Sequence, residues 1–505
     1  MIKLCKNHLI TCNDVIAAVN KLKCNKGDGN KGLSSDHVKR ACSDLSAHIA
    51  LLATGMLVHG FVPDDLLVST VIPIPKGKNT NVTVSANYRG IALSSIIGKI
   101  IDLVLMNRYY DKLVTSELQF GFKEKRSTTM CSMILKESIE YYINNGSGVY
   151  CVMLDATKAF DRVEYCKLFK LLMERKIPPI AIRIMLNMYT NHSVRVSWNG
   201  VLSDCFVGKN GTKQGGVLSP ILFSIYLNGL LCELQRAGVG CCIGNMFVGG
   251  LAYADDVALL APTPDAMRKM LNICDKFAAE FSIVFNAKKS KCLVFQPKRR
   301  GIPVPSSPAF YIGGNAIEIV DKWPHLSHII TCEYNDEADI SNRRNSLVSQ
   351  INNILCYFKN LSSPVKLKLL QAYCSRLYGS EIWNLCDGKI EDICVAWRKG
   401  LRRAWSLPPN THNLLLAPLC NTIPIMDEIC RRFLSFALAC LNSDCELVAG
   451  VAKYALFYAR MYTLPWVEII CFVTTDFDLF QICGRSVHVL DLAKFVGLLC
   501  LRWRT

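Results

Sequence analysis

The chain has 505 residues, 51% hydrophobic and 20% charged, a globular composition that excludes disorder as the default and predicts two to four subdomains. Lys and Arg total 58 against 41 acidic residues, and the resulting +17 favours a polyanionic partner, nucleic acid ahead of a membrane surface. The 25 cysteines show no C-x-x-C spacing, which excludes zinc ribbons and thioredoxin-type sites. With no secretory signal at Met1, they predict free thiols in a reducing, intracellular compartment, nucleus or cytoplasm.

In chain order, the polar Gly-rich "KCNKGDGNKG" leads to a helix start at Ser35-Asp36. "LSAHIALLATGMLVHGFVP" is about long enough to span a bilayer, but His48, His59 and its periodic polar residues predict a buried amphipathic helix. "LPWVEIICFVTTDFDLF" is broken by Glu468, Asp476 and Asp478, so neither stretch is expected to be a membrane anchor. "LLVSTVIPIPKGKN" reads as a β-branched strand running into a basic loop, and "SIIGKIIDLVLMNRYYDKLV" has helical spacing. A hinge-like "NNGSG" precedes the short apolar strand Val149 to Leu154, which ends in Asp155. The Gly-rich "KNGTKQGGV" introduces the long apolar helix "LSPILFSIYLNGLLCEL".

"MFVGGLAYADDVALLAP" reads as two strands with Ala254 and Asp255 near a tight turn, followed by the helix "DAMRKMLNICDKFAAEF" and the strand "KCLVFQ". The Pro-rich, basic Lys298–Pro308 stretch is a boundary candidate, beyond which the chain reads as mostly helical. His325, His328 and Cys332 read as a chance surface grouping rather than a metal cluster.

Two apolar strands thus deliver aspartates to sheet ends: Asp155 from one, Asp255 and Asp256 from a hairpin. Three carboxylates brought together repel unless divalent cations neutralise them. Mg²⁺, which takes one or two carboxylates plus substrate phosphates and waters, suits such a set, and two ions ~3.5–4 Å apart would serve an in-line phosphoryl displacement. A lone Asp-Asp pair is more often a solvated turn. Here the apolar flanks and the second Asp-tipped strand raise metal chemistry to an even alternative.

Beside these residues, the chain resembles the reverse transcriptase of non-long-terminal-repeat (LINE-type) retrotransposons. "VIPIPKGKN" with "ANYRGIALSSIIGKI", then "QFGFKEKRST", resemble the fingers motifs. "CVMLDATKAFDRV", "GTKQGGVLSPILFSIYLNGL", "YADD" and "FSIVFNAKKSKCLVF" resemble successive palm motifs. "WPHLSHII" is similar to the primer-gripping hairpin, and "LLQAYCSRLYGSEIW" to the thumb.

The resemblance implies an α+β right-hand polymerase fold. Residues 1–148 would be fingers with an N-terminal extension, 149–300 the palm, 301–410 the palm–thumb hairpin and helical thumb, and 411–505 a C-terminal helical region. It implies RNA-templated extension of a DNA primer with dNTPs, using two Mg²⁺ ions for which Mn²⁺ can substitute. Asp155, Asp255 and Asp256 match the metal-binding triad, and Lys289 matches a proton donor to pyrophosphate. Arg89, with Lys76 or Lys78, matches the triphosphate-binding cations, Gln214 and Gly215 the residues lining the nascent base pair, and Phe160 the ring that excludes a sugar 2′-hydroxyl. Tyr253, Ala254, His325 and Leu326 match positions beside the primer end.

The chain departs from the family's pattern at Gly90, usually proline in a turn, at Ser327, usually glycine, and at Gly229, usually acidic. Because Met1 begins almost at the fingers, the resemblance implies an element copy lacking the N-terminal endonuclease. The alternatives are a decayed copy that only binds RNA, and a group II intron-type maturase. Phe160 disfavours an RNA-templated RNA polymerase.

Overall fold

The computed structural model describes residues 9–462 apart from 30–31, 78–80, 214, 299–300 and 302. Lys78, Gln214 and the apolar stretch from Leu464 to Phe480 therefore lie outside the described residues. Helix α1 (Cys12–Lys21) is opened by a reciprocal cap between Thr11 and Asp14. Helix α2 (Ser43–His59) buries Ile49, Ala53, Met56 and Leu57 and stops at Gly60, whose φ of 65° is left-handed. Among the described residues no helix is long and apolar enough to cross a membrane.

Strands β1 (Val68–Pro75) and β2 (Tyr88–Leu93) form an antiparallel pair, followed by helix α3 (Ile96–Arg108). Helix α4 (Thr128–Asn144) leads into strand β3 (Val149–Leu154). The "NNGSG" between them is no hinge. Ser147 N–H donates to the Tyr142 carbonyl, and a Cβ on Gly148 would lie 2.6 Å from Val304, so this is a packed helix-to-strand turn. Strand β4 (Ser193–Trp198) returns to lie parallel with β1 and completes a first sheet with two short strands.

A second sheet carries the aspartates. Helix α5 (Ser219–Arg236) precedes the hairpin of β5 (Gly250–Tyr253) and β6 (Asp256–Ala261), and helix α6 (Pro264–Glu280) leads to β7 (Lys291–Phe295). Gly229 lets α5 approach α6, since a Cβ there would sit 3.0 Å from the Phe277 ring. The short strand β8 (Glu318–Ile319) completes the order β8–β7–β3–β6–β5. β3 is central, so both its edges are paired, and all six of its residues are buried. That is why "VYCVML" is continuously apolar instead of alternating.

The Pro-rich Lys298–Pro308 stretch joins two strands of this one sheet, because Lys291 pairs with Glu318 across it. Beyond it the chain is mostly helical, as the sequence suggests, but not at once. Short strands run from Tyr311 onward, ending in the hairpin of β9 (Lys322–His325) and β10 (His328–Thr331). Helices then dominate: α7 (Glu337–Tyr357), α8 (Ile390–Ala404), α9 (Ile425–Leu441) and α10 (Glu446–Tyr462).

Candidate active site

Asp155 follows directly on β3. Its N–H donates to Ser290 Oγ at 3.2 Å, and its carbonyl accepts the Asn286 N–H at 2.8 Å. In the neighbouring hairpin Tyr253 pairs with Asp256, which leaves the two-residue turn Ala254–Asp255. Since Val257 pairs with Leu154, the register carries Asp256 to the level of Asp155. The aspartates at the tips of two paired strands thereby converge, as the sequence pattern suggests.

Their titration registers the crowding. Burial, Asp255 and Asp155 together push the Asp256 carboxyl up to about 6, against a weaker opposing pull from Arg89. Asp255 is also raised, by burial first and then by Asp155, again with Arg89 opposing. Lys289 Nζ stands 3.8 Å from Asp155 Oδ2. The cluster is short of positive charge.

A cavity of about 320 Å³ is lined by Asp155, Asp256, Lys289, Trp323, His325 and Leu326. Among the described residues no group of three or more His, Cys, Asp or Glu side chains stands as a ready-made cation cage. Asp155 and Asp256 on the cavity wall are hard oxygen donors of the kind that Mg²⁺ takes together with waters and substrate phosphates.

Phe160 lies on a short 3-10 turn (Ala159–Arg162) entered through Lys158 at φ 48°. Its ring stacks on Phe223 with centroids 4.5 Å apart and meets Phe122 edge-on at 6.2 Å. Its carbonyl accepts the Thr212 N–H at 2.7 Å, which ties this turn to the Gly-rich loop. Gly215 in that loop has φ 104°, and a Cβ would lie 2.8 Å from the Ala92 carbonyl oxygen. The glycine thus serves a close approach of loop to β2.

The same loop is held by a buried carboxylate. Asp102 on α3 accepts the backbone N–H groups of Val217 and Leu218 and feels Lys213, yet burial still pushes it up to about 6. Arg89 projects from β2, and Lys76 follows β1, its N–H donating to the Asn87 carbonyl at 2.8 Å. Gly90 is not in a turn, as its usual replacement by proline suggests. It pairs with Pro73 within the β1–β2 ladder.

The His325–His328–Cys332 grouping is not a surface accident, because both histidines are buried. Burial and His328 lower His325 to about 4. His328 Nδ1 lies 3.1 Å from Asp339 Oδ2 and its Nε2 3.8 Å from Asp336 Oδ1; burial opposes its charge, but the two carboxylates raise its pKa. Lys136 Nζ donates to Asp336 Oδ1 at 2.6 Å and to the Ile382 carbonyl at 2.7 Å. Burial would raise Asp336, yet Lys136 and His328 hold it well below the usual carboxylate range. Trp383 Nε1 and the Ile329 N–H both donate to Asp339.

This network anchors the β9–β10 hairpin to α4 and α7. Its turn, Leu326–Ser327, has φ values of 47° and 67°, so Ser327 does occupy a left-handed position, at a cost of about 1–2 kcal/mol. Tyr378 Oη donates to the Leu326 carbonyl at 2.9 Å, and Arg343 donates to that of Ser327.

One residue at this site carries no chemical signal in the sequence. Gln119, fully buried, hydrogen-bonds the Ala254 backbone at the tip of the aspartate hairpin. A neutral amide in "QFGF" offers no periodicity, charge or metal-ligand spacing by which to find it. Only the glycine two residues on, a marker of close backbone approach, hints at such packing.

Comparison with known proteins bears on the whole arrangement. The family model described as reverse transcriptase (RNA-dependent DNA polymerase) matches residues 74–316. The chain is 25% identical over 332 residues to the Retrovirus-related Pol polyprotein from type-2 retrotransposable element R2DM of Drosophila melanogaster, covering 63% of this chain and 30% of that protein. It is 25% identical over 291 residues to the Retrovirus-related Pol polyprotein from type-1 retrotransposable element R2 of Nasonia vitripennis, covering 57% and 28%. It is 23% identical over 397 residues to the RNA-directed DNA polymerase from mobile element jockey of Drosophila funebris, covering 73% and 41%. The chain thus spans well under half the length of these relatives.

Proposed function

From the match of residues 74–316 to the reverse transcriptase family, we propose that this protein extends a primer 3′-hydroxyl with dNTPs on an RNA template. The observation that carries the reading is the carboxylate cluster. Two paired strands bring Asp155, Asp255 and Asp256 together with too little positive charge to balance them. Two Mg²⁺ ions held by these three residues would supply that charge, polarise the primer hydroxyl and offset the developing pyrophosphate charge.

The chain's own residues do the rest. Arg89, with Lys76 and Lys78, receives the triphosphate; a guanidinium does so bidentately. Lys289, beside Asp155, is within reach to donate a proton to departing pyrophosphate. Phe160, held by Phe122 and Phe223, rejects a 2′-hydroxyl by steric clash. Gln214 and Gly215 line the nascent base pair, while Tyr253, Ala254, His325 and Leu326 flank the primer end.

In this reading residues 1–148 are fingers, the palm begins at 149 and runs past 300 to take in β8 (Glu318–Ile319), and the hairpin and thumb follow to 410, with a further C-terminal region beyond. The +17 charge grips the heteroduplex through its backbone and A-form shape. Primer extension with Mg²⁺ tests the proposal. Asp155→Asn and Asp255→Asn should each lower extension by about 10³-fold or more while keeping a cooperative melt, since several kcal/mol of transition-state stabilisation are lost. Unfolding of both variants, or extension at the unsubstituted rate, would refute it.

A further inference from the structure

The turn between β5 and β6 asks for an unusual backbone. Ala254 has φ 58°, at the first central position of a two-residue hairpin loop, where glycine is the usual occupant. Something must hold it there. Gln119 Oε1 accepts the N–H of Ala254 and the N–H of Gly121, both at 2.9 Å, and its Nε2 donates to the Ala254 carbonyl at 3.2 Å. The amide therefore closes a ring around the strained residue from a fully buried position.

The backbone beside it is docked just as closely. Ala252 N–H donates to the Leu118 carbonyl at 2.9 Å, and Phe120 N–H donates to the Ala252 carbonyl at 2.7 Å, so Leu118–Phe120 runs as a short parallel partner of β5. A Cβ on Gly121 would sit 2.3 Å from Ala254 N, so only glycine permits the approach. No other described side chain is hydrogen-bonded to the Ala254 backbone.

We propose that Gln119 is a positioning residue for the carboxylates: by fixing the left-handed Ala254, its amide aims Asp255 at Asp155 and so sets the divalent-cation affinity of the site. The inference rests on the polymerase reading of these aspartates. Gln119 touches neither metal nor substrate; it acts through the turn, as a hydrogen-bond partner behind a ligand does.

The test is Gln119→Met, which keeps the length and removes every hydrogen bond, alone and combined with Ala254→Gly, which removes the need for a clamp. Mn²⁺ binding is read by EPR titration in a complex with an RNA template, a dideoxy-terminated DNA primer and the next dNTP. Heteroduplex affinity is read separately. Gln119→Met should weaken Mn²⁺ binding about 10-fold with heteroduplex affinity unchanged, and added Ala254→Gly should restore most of the loss. A merely structural defect would lower both affinities and would not be rescued by glycine.

If Gln119→Met gives no folded protein, Gln119→Glu decides by the same readout. It keeps both accepted bonds, loses the donor to the Ala254 carbonyl, and should weaken Mn²⁺ binding measurably. Unchanged Mn²⁺ affinity in a folded, clamp-deficient variant overturns the inference alone. An unsubstituted protein that binds no Mn²⁺ in this complex overturns the polymerase reading and the inference with it.

Discussion

Replacing Lys136 by methionine isolates the buried network under the β9–β10 hairpin. The lysine side chain is 14% exposed and Asp336 6%, and the Nζ–Oδ1 distance is 2.6 Å. Removing one partner of such a pair leaves a buried carboxylate without its main counter-charge, which costs about 3–5 kcal/mol. Asp336 keeps the Asn384 N–H at 2.8 Å and His328 Nε2 at 3.8 Å, so the lower end, about 3 kcal/mol, is the expectation here.

Urea unfolding followed by tryptophan fluorescence measures it, because Trp383 is bonded into the same network. Adding Asp336→Asn removes the orphaned charge and should recover more than half of the loss. A Lys136→Met penalty below about 1 kcal/mol, or no recovery in the double variant, would refute the argument. Since the hairpin turn lines the carboxylate cavity, primer–template binding should weaken in Lys136→Met and return in the double variant.

Three further outcomes follow from the geometry. Phe160→Ala should raise ribonucleotide incorporation relative to deoxynucleotide, measured by competing NTPs and dNTPs on one primer; unchanged discrimination would count against the ring as a gate. Gly215→Ala forces a Cβ against the Ala92 carbonyl at a φ of 104° and should destabilise the fold by about 1–3 kcal/mol, seen as a lower melting temperature. His328 has a pKa raised above 6.5 in the folded state, so its stabilising contribution is complete below that pH and is lost as pH rises through the folded value. The stability gap between unsubstituted protein and His328→Asn should therefore narrow between pH 6 and pH 9, as paired melts would measure.

What the sequence disclosed depended on how local the signal was. The aspartate-tipped strands were legible because six unbroken apolar residues before Asp155, and the apolar run after Asp256, suit buried strand at that length better than helix. Ser327 stands where the resemblance usually shows glycine, and that departure alone hinted at its left-handed backbone. The anchor beneath the hairpin was not. Asp336 and Asp339 stand close to His328 in sequence but read there as the acidic start of a helix, while Lys136 and Trp383 come from 200 and 44 residues away. Gly90 misled for a related reason: an X-Gly pair in sequence cannot say whether its neighbour Pro73 belongs to a turn or to a paired strand.

The order of strands around β3 has a consequence for how such a chain is made. Asp155 is held by Ser290, 135 residues later, and the same separation lies between Gln119 and Ala254. β3 gains one neighbour only when residues 256–261 exist and the other only when 291–295 do. During synthesis it therefore waits as an apolar strand with open edges, the kind of segment that pairs with other chains. A chain interrupted between these two points would carry all three aspartates and still leave one edge of β3 uncovered. Such a product is expected to aggregate rather than to persist as an inert fragment.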